Sequence, residues 1–272
     1  MKPTIINSTT KRMHPRAPAP LILTYHTISP QSSKFVYSAS CQQFEEHLTW
    51  LSDLSVHVGL ETLPQITFDD GKLSDYEFAL PLLEKYQIRA TFFVTAGLIG
   101  NNSGFMDWQQ VRAISSLGHS VQSHGWSHLL LTRASATELH RELEASKCEL
   151  EDRLGVRVTS ISLPGGRWNP KVLEACARTG YQRVCHSDPW TPVERRHDFE
   201  FVGRLMVRNS MRAKNLNDVS RGRFPIVFYY RSQFRLKEAG KRVIGDRMYH
   251  WLWQTLAGAD RRPLKARDAD LV

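Results

Sequence analysis

Apolar segments with the spacing of strands alternate with amphipathic segments from residue 21 to about residue 190. The strand-like segments are rich in β-branched and aromatic residues, as in LILTYHTI at 21–28, QITF at 65–68 and ATFFVTAGLIG at 90–100. The intervening segments have a helical period, as in CQQFEEHLTWLSDL at 41–54. This alternation is typical of a mostly parallel sheet covered by helices, which is an α/β fold.

The same pattern predicts the remaining elements. Further helices are expected at 74–88, 107–118, 135–155 and 169–180, and further strands at 119–124, 159–163 and 181–187. Beyond residue 195 the pattern weakens. There PIVFYY at 225–230 predicts one more strand, and DRMYHWLWQTLAG at 246–258 predicts a terminal helix with an aromatic stripe.

The positive charge is concentrated in the C-terminal part of the chain. The net charge is +9 over 272 residues, and residues 195–272 carry 18 basic and 8 acidic residues. Such a region can contact a pyrophosphate group or an anionic membrane surface, or it can be a solvated arginine-rich face without a partner. No known nucleic-acid-binding module is visible, so we expect no nucleic-acid partner.

The compartment is predicted from the N-terminus and the cysteines. Residues 1–19 are polar, basic and rich in proline, and we expect a flexible segment rather than a secretory signal. The four cysteines have no CxxC spacing, which favours free thiols in a reducing compartment. With no membrane-spanning run in sight, we expect a cytoplasmic protein that can also be membrane-peripheral.

Polar residues follow several of the predicted strands, at the rim where the carboxyl ends of parallel strands converge. One aspartate pair and two histidines four residues apart stand out among them. The rim residues are His26, Asp69, Asp70, His124, His128, His186 and the turn Pro164–Gly165–Gly166.

The rim residues predict a metal site. The spacing of His124 and His128 lets two imidazoles reach one ion from a helical turn. Zinc binds nitrogen and carboxylate ligands and keeps one position open in catalytic sites. One of Asp69 and Asp70 would complete the ligand set, and the other would take a proton from water. Zn²⁺ is the expected ion, and Co²⁺, Ni²⁺ or Fe²⁺ would accept the same ligands.

ITFDDG at 66–71 and SHGWSH at 123–128 resemble the first two motifs of the polysaccharide deacetylases, carbohydrate esterase family 4. LTYHTIS at 23–29 resembles the opening strand of the exopolysaccharide-deacetylase branch. FALPLLEKYQIRATFFVTAGLIG at 78–100 is similar to the stretch between these two motifs, and LPGGRWNPKVLEACARTGY at 163–181 is similar to the third-motif region.

The resemblance implies a distorted (β/α) barrel with fewer than eight regular repeats. Residues 20–258 would form a single catalytic domain with a basic part from about 195, and residues 259–272 a flexible tail. The implied reaction is metal-dependent removal of N-acetyl groups from an amino sugar in a polysaccharide or glycan precursor.

The resemblance also assigns roles to single residues. Asp69 is implied as the general base, and Asp70, His124 and His128 as the metal ligands. The backbone N–H near Gly71 or Lys72 is a candidate oxyanion donor. The turn at Pro164 and Gly165 is expected to contact the substrate.

Two positions depart from the family pattern. The family's third motif carries an arginine two residues before its proline, but Ser162 stands there, and Arg167 is the candidate replacement. The last motif supplies a histidine as general acid, but the predicted strand at 225–230 has none. His186 or His26 would have to take that role.

These departures leave two alternatives open. An O-acetyl carbohydrate esterase with the same site needs less acid assistance, because an alkoxide leaves more easily than an amine. A catalytically decayed, glycan-binding barrel would explain the departures as lost function.

Overall fold

The computed structural model describes residues 21–56, 63–191 and 193–244. Nine of its strands form one sheet and two form a small parallel pair. The sheet strands are β1 (Ile22–Tyr25), β4 (Gln65–Phe68), β5 (Ala90–Val94), β6 (Ser120–Ser123), β7 (Ser160–Ser162), β8 (Arg183–His186), β9 (Glu194–Arg196), β10 (Phe199–Gly203) and β11 (Leu205–Met206). The separate pair is β2 (Thr27–Ser29) and β3 (Ser38–Ser40).

The sheet closes on itself through one short segment of chain. Its strand order is β11–β1–β4–β5–β6–β7–β8–β10–β9, parallel except for β9. Strand β10 pairs with β8 and strand β11 pairs with β1, yet only Arg204 separates β10 from β11. The two ends of the sheet must therefore meet at Arg204. This confirms the predicted distorted barrel with fewer than eight repeats.

Helices surround the sheet, and π turns adjoin three of them. The helices are α1 (Cys41–Ser55), α2 (Leu80–Lys85), α3 (Trp108–Ser116), α4 (Ala136–His140), α5 (Ser146–Leu154), α6 (Pro170–Arg178), α7 (Ala213–Ser220) and α8 (Phe224–Ile244). A π turn at Asp75–Ala79 leads into α2, and another at Arg141–Ala145 joins α4 to α5. No helix in the described part of the chain is long and apolar enough to cross a bilayer.

Period-two alternation in β4 separates the outer core from the barrel interior. Phe68 packs against α1 and stacks on Phe92 of β5, with ring centroids 4.8 Å apart. Thr67 points to the opposite side, where its hydroxyl accepts a hydrogen bond from Arg204. Because side chains alternate along a strand, the next inward position falls on Asp69. Strand geometry therefore delivers this carboxylate to the interior.

The strand predicted at 225–230 is wrong, because this segment lies in α8. Ile226 and Tyr230, four residues apart, face the protein, whereas Phe228 is 60% exposed. That is a helical pattern, and Pro225 at the first turn is compatible with a helix start. The predicted helix at 246–258 and the predicted flexible ends lie outside the described residues. All four cysteines are free thiols, as expected.

Candidate functional site

The two adjacent aspartates separate because the chain leaves the sheet between them. Asp69 continues the β4 ladder, and its N–H donates to the carbonyl of Tyr25, 3.0 Å away. Asp70 and Gly71 then adopt positive φ angles of 80° and 82°. A left-handed non-glycine residue is uncommon and costs about 1 kcal/mol or more. The turn directs the Asp70 side chain away from that of Asp69.

Asp70 meets two imidazoles at the rim. Its Oδ1 lies 3.4 Å from Nε2 of His124 and 3.2 Å from Nε2 of His128. One ligand atom from each of these residues lies within 4.8 Å of the other two. The structure therefore brings the three predicted ligands to a common point.

The chemistry of these atoms fits a cation. Nδ1 of His124 lies 2.8 Å from the carbonyl oxygen of Ser162, so Nδ1 carries the proton and Nε2 presents a lone pair. Asp70 Oδ1 is buried and has no hydrogen-bond partner among the described residues. Lone pairs that face one another repel unless a positive charge lies between them. A histidine whose second ring nitrogen donates its N–H to a carbonyl is also typical of a metal ligand.

The pKa shifts of Asp70 and His128 follow from the close approach of a carboxylate to two imidazoles that carry positive charge when protonated. Burial raises the pKa of Asp70, but the imidazoles of His124 and His128 outweigh it and hold that pKa well below its usual range. Burial lowers the pKa of His128, but Asp70 outweighs it and raises that pKa.

The loop that carries the histidines is not helical. Gly125 and His128 have φ angles of 81° and 66°, which turn the chain back toward Asp70. The helical turn expected from the four-residue spacing is therefore wrong. Two residues with a left-handed backbone conformation, rather than a helical turn, bring both imidazoles to the same side of the loop.

Asp69 is held by Arg204, which the sequence did not identify. Two N–H groups of Arg204 donate to Oδ1 and Oδ2 of Asp69, each at 2.8 Å. The Ser162 hydroxyl donates to Oδ2 at 3.0 Å and lies 2.6 Å from Arg204. The role we expected from Arg167 thus falls to a residue that barrel closure places beside the carboxylate.

This pairing keeps Asp69 ionised. Burial alone would raise the pKa of Asp69, but Arg204 and His124 outweigh burial and lower that pKa to about 2. Arg204 is 1% exposed, and its own pKa is raised by Asp69 against the opposing effect of burial. In the sequence, the one indication of this role is that Arg204 lies inside the mostly apolar segment FEFVGRLMV.

The two candidate oxyanion donors differ in whether the backbone N–H already donates a hydrogen bond. The N–H of Lys72 donates to Oδ2 of Asp75 at 3.1 Å, so it is already occupied. The Lys72 ammonium lies 3.9 Å from Asp70 and 4.0 Å from the Phe105 ring centroid. The Lys72 N–H is therefore a poor oxyanion donor, and Gly71 is the better candidate. Burial and the nearby Asp70 raise the pKa of Asp75 well above its usual range.

The two candidate acids occupy different surroundings. His26 follows Tyr25, whose carbonyl accepts from Asp69, so His26 stands next to Asp69 across the β1–β4 pair. Burial lowers the pKa of His26, and the charges of Asp70 and Asp69 oppose that decrease.

His186 is engaged elsewhere. Its ring stacks on Phe201 at 4.1 Å, and its Nδ1 accepts the N–H of Asp188 at 3.2 Å. Burial lowers the pKa of His186 to about 4. The structure thus groups His26, and not His186, with the aspartates.

The turn after β7 packs against the metal-site loop. Gly165 and Gly166 have φ angles of 62° and 66°. A Cβ on Gly165 would lie 2.8 Å from Leu130, and Pro164 lies beside Gly125. The predicted substrate-contacting turn therefore lies beside the cluster, at the same rim.

Comparison with known proteins agrees with this geometry. Residues 63–184 match the family described as polysaccharide deacetylase. The candidate polysaccharide deacetylase YxkH of Bacillus subtilis (strain 168) is 32% identical over 183 residues, which are 62% of this chain and 64% of that protein. Peptidoglycan-N-acetylglucosamine deacetylase PgdA of Listeria monocytogenes serotype 1/2a (strain 10403S) is 29% identical over 126 residues, 46% of this chain and 26% of that protein.

A solved structure shares the fold. The Streptococcus pyogenes deacetylase PplD, solved in complex with acetate, superposes with a TM-score of 0.66 at 23% identity, covering 74% of this chain and 97% of that one. The matches to YxkH and PgdA each span less than two thirds of the relative's length.

Proposed function

We propose that this chain, whose residues 63–184 match the polysaccharide deacetylase family, is a metal-dependent hydrolase that removes N-acetyl groups from an amino sugar of a polysaccharide or glycan precursor. The observation that carries the proposal is the convergence of Asp70, His124 and His128 beside a separately held Asp69. The decayed-barrel alternative would not require these four groups to be kept in place.

The proposed metal ligands are Asp70, His124 and His128, and Zn²⁺ is the proposed ion. When bound, the ion supplies a Lewis acid for the acetyl carbonyl and lowers the pKa of an adjacent water. The protein contributes the orientation of the ligands, since Ser162 fixes the tautomer of His124.

Asp69 is the proposed base. Its carboxylate accepts a proton from water as the water oxygen bonds to the acetyl carbon, and Arg204 and Ser162 keep the carboxylate oriented. The N–H of Gly71 is the proposed donor to the carbonyl oxygen as negative charge develops on it.

His26 is the proposed acid. It stands next to Asp69 across the β1–β4 pair, so the proton that Asp69 takes from water can pass to His26 and from His26 to the sugar nitrogen as the C–N bond breaks. Acetate and a free amine are the products. A histidine in this position meets the need of an amine leaving group, so N-deacetylation is favoured over O-acetyl ester hydrolysis.

The experiment is acetate release from N-acetylglucosamine oligomers, peptidoglycan fragments and matched O-acetylated sugars. We expect release from an N-acetylated substrate, its loss on chelation and its recovery with Zn²⁺. Asp69→Asn should reduce the rate by about 10²–10⁴-fold, as removal of a general base does. Asp152→Asn, at an exposed carboxylate on α5, is the matched control and should be unchanged.

Three results would contradict the proposal. Equal release by the wild type and Asp69→Asn would exclude the proposed base. Release that survives chelation would exclude the metal. Release confined to the O-acetylated sugars would assign the esterase activity instead.

We further propose that the exposed arginines of α8 contact the phosphate of a lipid-linked or nucleotide-linked precursor, or of an anionic membrane surface. Arg231 and Arg235 lie one helical turn apart and both are exposed. Replacing both with glutamine should then raise KM for phosphate-linked substrates and leave KM for free sugars unchanged. An unchanged KM for the phosphate-linked substrates, or the same increase in KM for both substrate classes, would refute this contact.

A further inference from the structure

Glu142 makes three hydrogen bonds to the loop between the two histidines. Its Oε2 accepts the backbone N–H of Trp126 at 2.8 Å and of Ser127 at 3.0 Å. Its Oε1 accepts the hydroxyl of Ser127 at 2.5 Å. Glu142 is 4% exposed, so the loop replaces the water that the carboxylate would otherwise bind.

A π turn places Glu142 under the loop. The turn Arg141–Ala145 interrupts the helical segment between α4 and α5, and Glu142 is its second residue. The Ser146 hydroxyl bonds to the carbonyl of Glu142 at 2.7 Å and lies 2.9 Å from the Ser123 hydroxyl at the end of β6. Such π turns are frequent at functional sites, because they shift side chains out of the helical register.

A second set of contacts holds the same loop from the 3₁₀ turn Ala96–Leu98, which follows β5. The N–H groups of Ala96 and Gly97 donate to the carbonyls of Gly125 and Trp126, at 3.1 and 2.8 Å. A Cβ on Gly97 would lie 2.6 Å from the Trp126 carbonyl oxygen, so this approach requires glycine. The backbone of the loop is thus held on both sides.

The loop needs this support because its own conformation is unfavourable. His128 is a non-glycine residue with a φ of 66°, and its side chain is 45% exposed. The N–H of His124 still donates to the carbonyl of Val94 on β5, but residues 125–128 lie in no helix or strand. Without external partners, the loop would sample other backbone states in which His128 no longer reaches Asp70.

We propose that Glu142 is a positioning residue that pre-forms the metal site, by fixing the backbone of residues 126 and 127 so that both imidazoles face Asp70. The inference rests on the proposed function, in that it takes the cluster as a metal site. It assigns to Glu142 an effect on metal affinity that does not pass through contact with the ion.

The carboxylate is chemically suited to this task. Three donors converge on Glu142, and a carboxylate is an acceptor only. A glutamine can keep both backbone hydrogen bonds only by turning its NH₂ group toward Ser127 Oγ, so that the hydroxyl must change from donor to acceptor. It also removes the negative charge that strengthens all three hydrogen bonds. Glu142→Gln therefore tests the charge and the acceptor pattern with little change in volume.

The experiment measures Zn²⁺ affinity by competition with a chromophoric chelator, and Co²⁺ coordination by its visible absorption spectrum. We expect Glu142→Gln to bind Zn²⁺ about 10–100-fold more weakly, the usual effect of losing an outer-shell partner. The Co²⁺ spectrum should change as well. Glu144→Gln, at an exposed position two residues away on the same helical segment, is the matched control and should bind as the wild type does.

Ser127→Ala keeps the test decisive if Glu142→Gln does not fold. It removes one of the three donors from an exposed loop position and should weaken Zn²⁺ binding several-fold. Wild-type affinity and an unchanged Co²⁺ spectrum in folded Glu142→Gln would overturn the inference. So would wild-type affinity in Ser127→Ala, should the first variant be unfolded. A wild-type protein that binds neither ion would instead refute the proposed metal-dependent function.

Discussion

Replacing Arg204 with methionine should reverse the pH dependence that the Asp69–Arg204 pair gives to folding stability. The two residues are 4% and 1% exposed, and two hydrogen bonds of 2.8 Å join them. Burial would raise the pKa of Asp69, but Arg204 brings it to about 2. An unfolded aspartate titrates near 3.9, so the pair contributes about 2–3 kcal/mol at neutral pH. This contribution is lost as the pH falls from about 4 toward 2.

In the Arg204→Met variant, Asp69 should give folding stability the opposite pH dependence. Without the guanidinium, burial holds the pKa of Asp69 above its ordinary value, so the unfolded chain releases this proton more readily than the folded protein does. Stability then decreases as the pH rises above about 4, by up to about 1.4 kcal/mol per pH unit. Near pH 8 the free energy of unfolding of the variant should be about 3–5 kcal/mol lower than that of the wild type, as for other buried pairs that lose one partner.

The assay is urea unfolding followed by circular dichroism, with chelator present, at several pH values between about 4.5 and 8. Arg178→Met, at an exposed arginine that pairs with Glu174 on α6, is the matched control and should follow the wild type at every pH. Arg204→Met combined with Asp69→Asn removes the titrating carboxyl, so its difference from the wild type should no longer grow with pH. A loss of stability by Arg204→Met that is the same at every pH would refute the reasoning.

Other perturbations test the core and the support of the loop. Phe68→Ala should lower the free energy of unfolding by about 3–5 kcal/mol in chemical denaturation, because Phe68 is fully buried and stacked on a neighbouring ring. Gly97→Ala should cost about 1–3 kcal/mol and weaken Zn²⁺ binding, since the new Cβ would meet the Trp126 carbonyl; unchanged melting temperature and affinity would contradict this. Burial lowers the pKa of His47 to about 4, below its unfolded value, so the wild type should lose on the order of 3 kcal/mol as the pH falls from about 6.5 to 4. His47→Gln should lose less over that range in the same titration.

Local sequence pattern was sufficient for the architecture up to residue 190. The strand and helix periods depend on neighbouring residues only, and parallel strands place their carboxyl ends at one rim. The sequence therefore brought Asp69, Asp70, His124 and His128 together as one candidate site, and the resemblance supplied their expected roles. It also showed that Ser162 stands where the family has an arginine.

Contacts that form only in the folded protein decided which residues complete the site. Arg204 reaches Asp69 across 135 residues because β10 and β11 close the barrel around it. Glu142 reaches the loop of the two histidines because a π turn shifts it out of the helical register. The segment at 225–230 is helical, because Ile226 and Tyr230 pack against the core from one face of the helix. Each outcome depends on contacts between residues far apart in sequence or on one shifted helical turn. Neither changes the hydrophobic periodicity from which helices and strands are predicted.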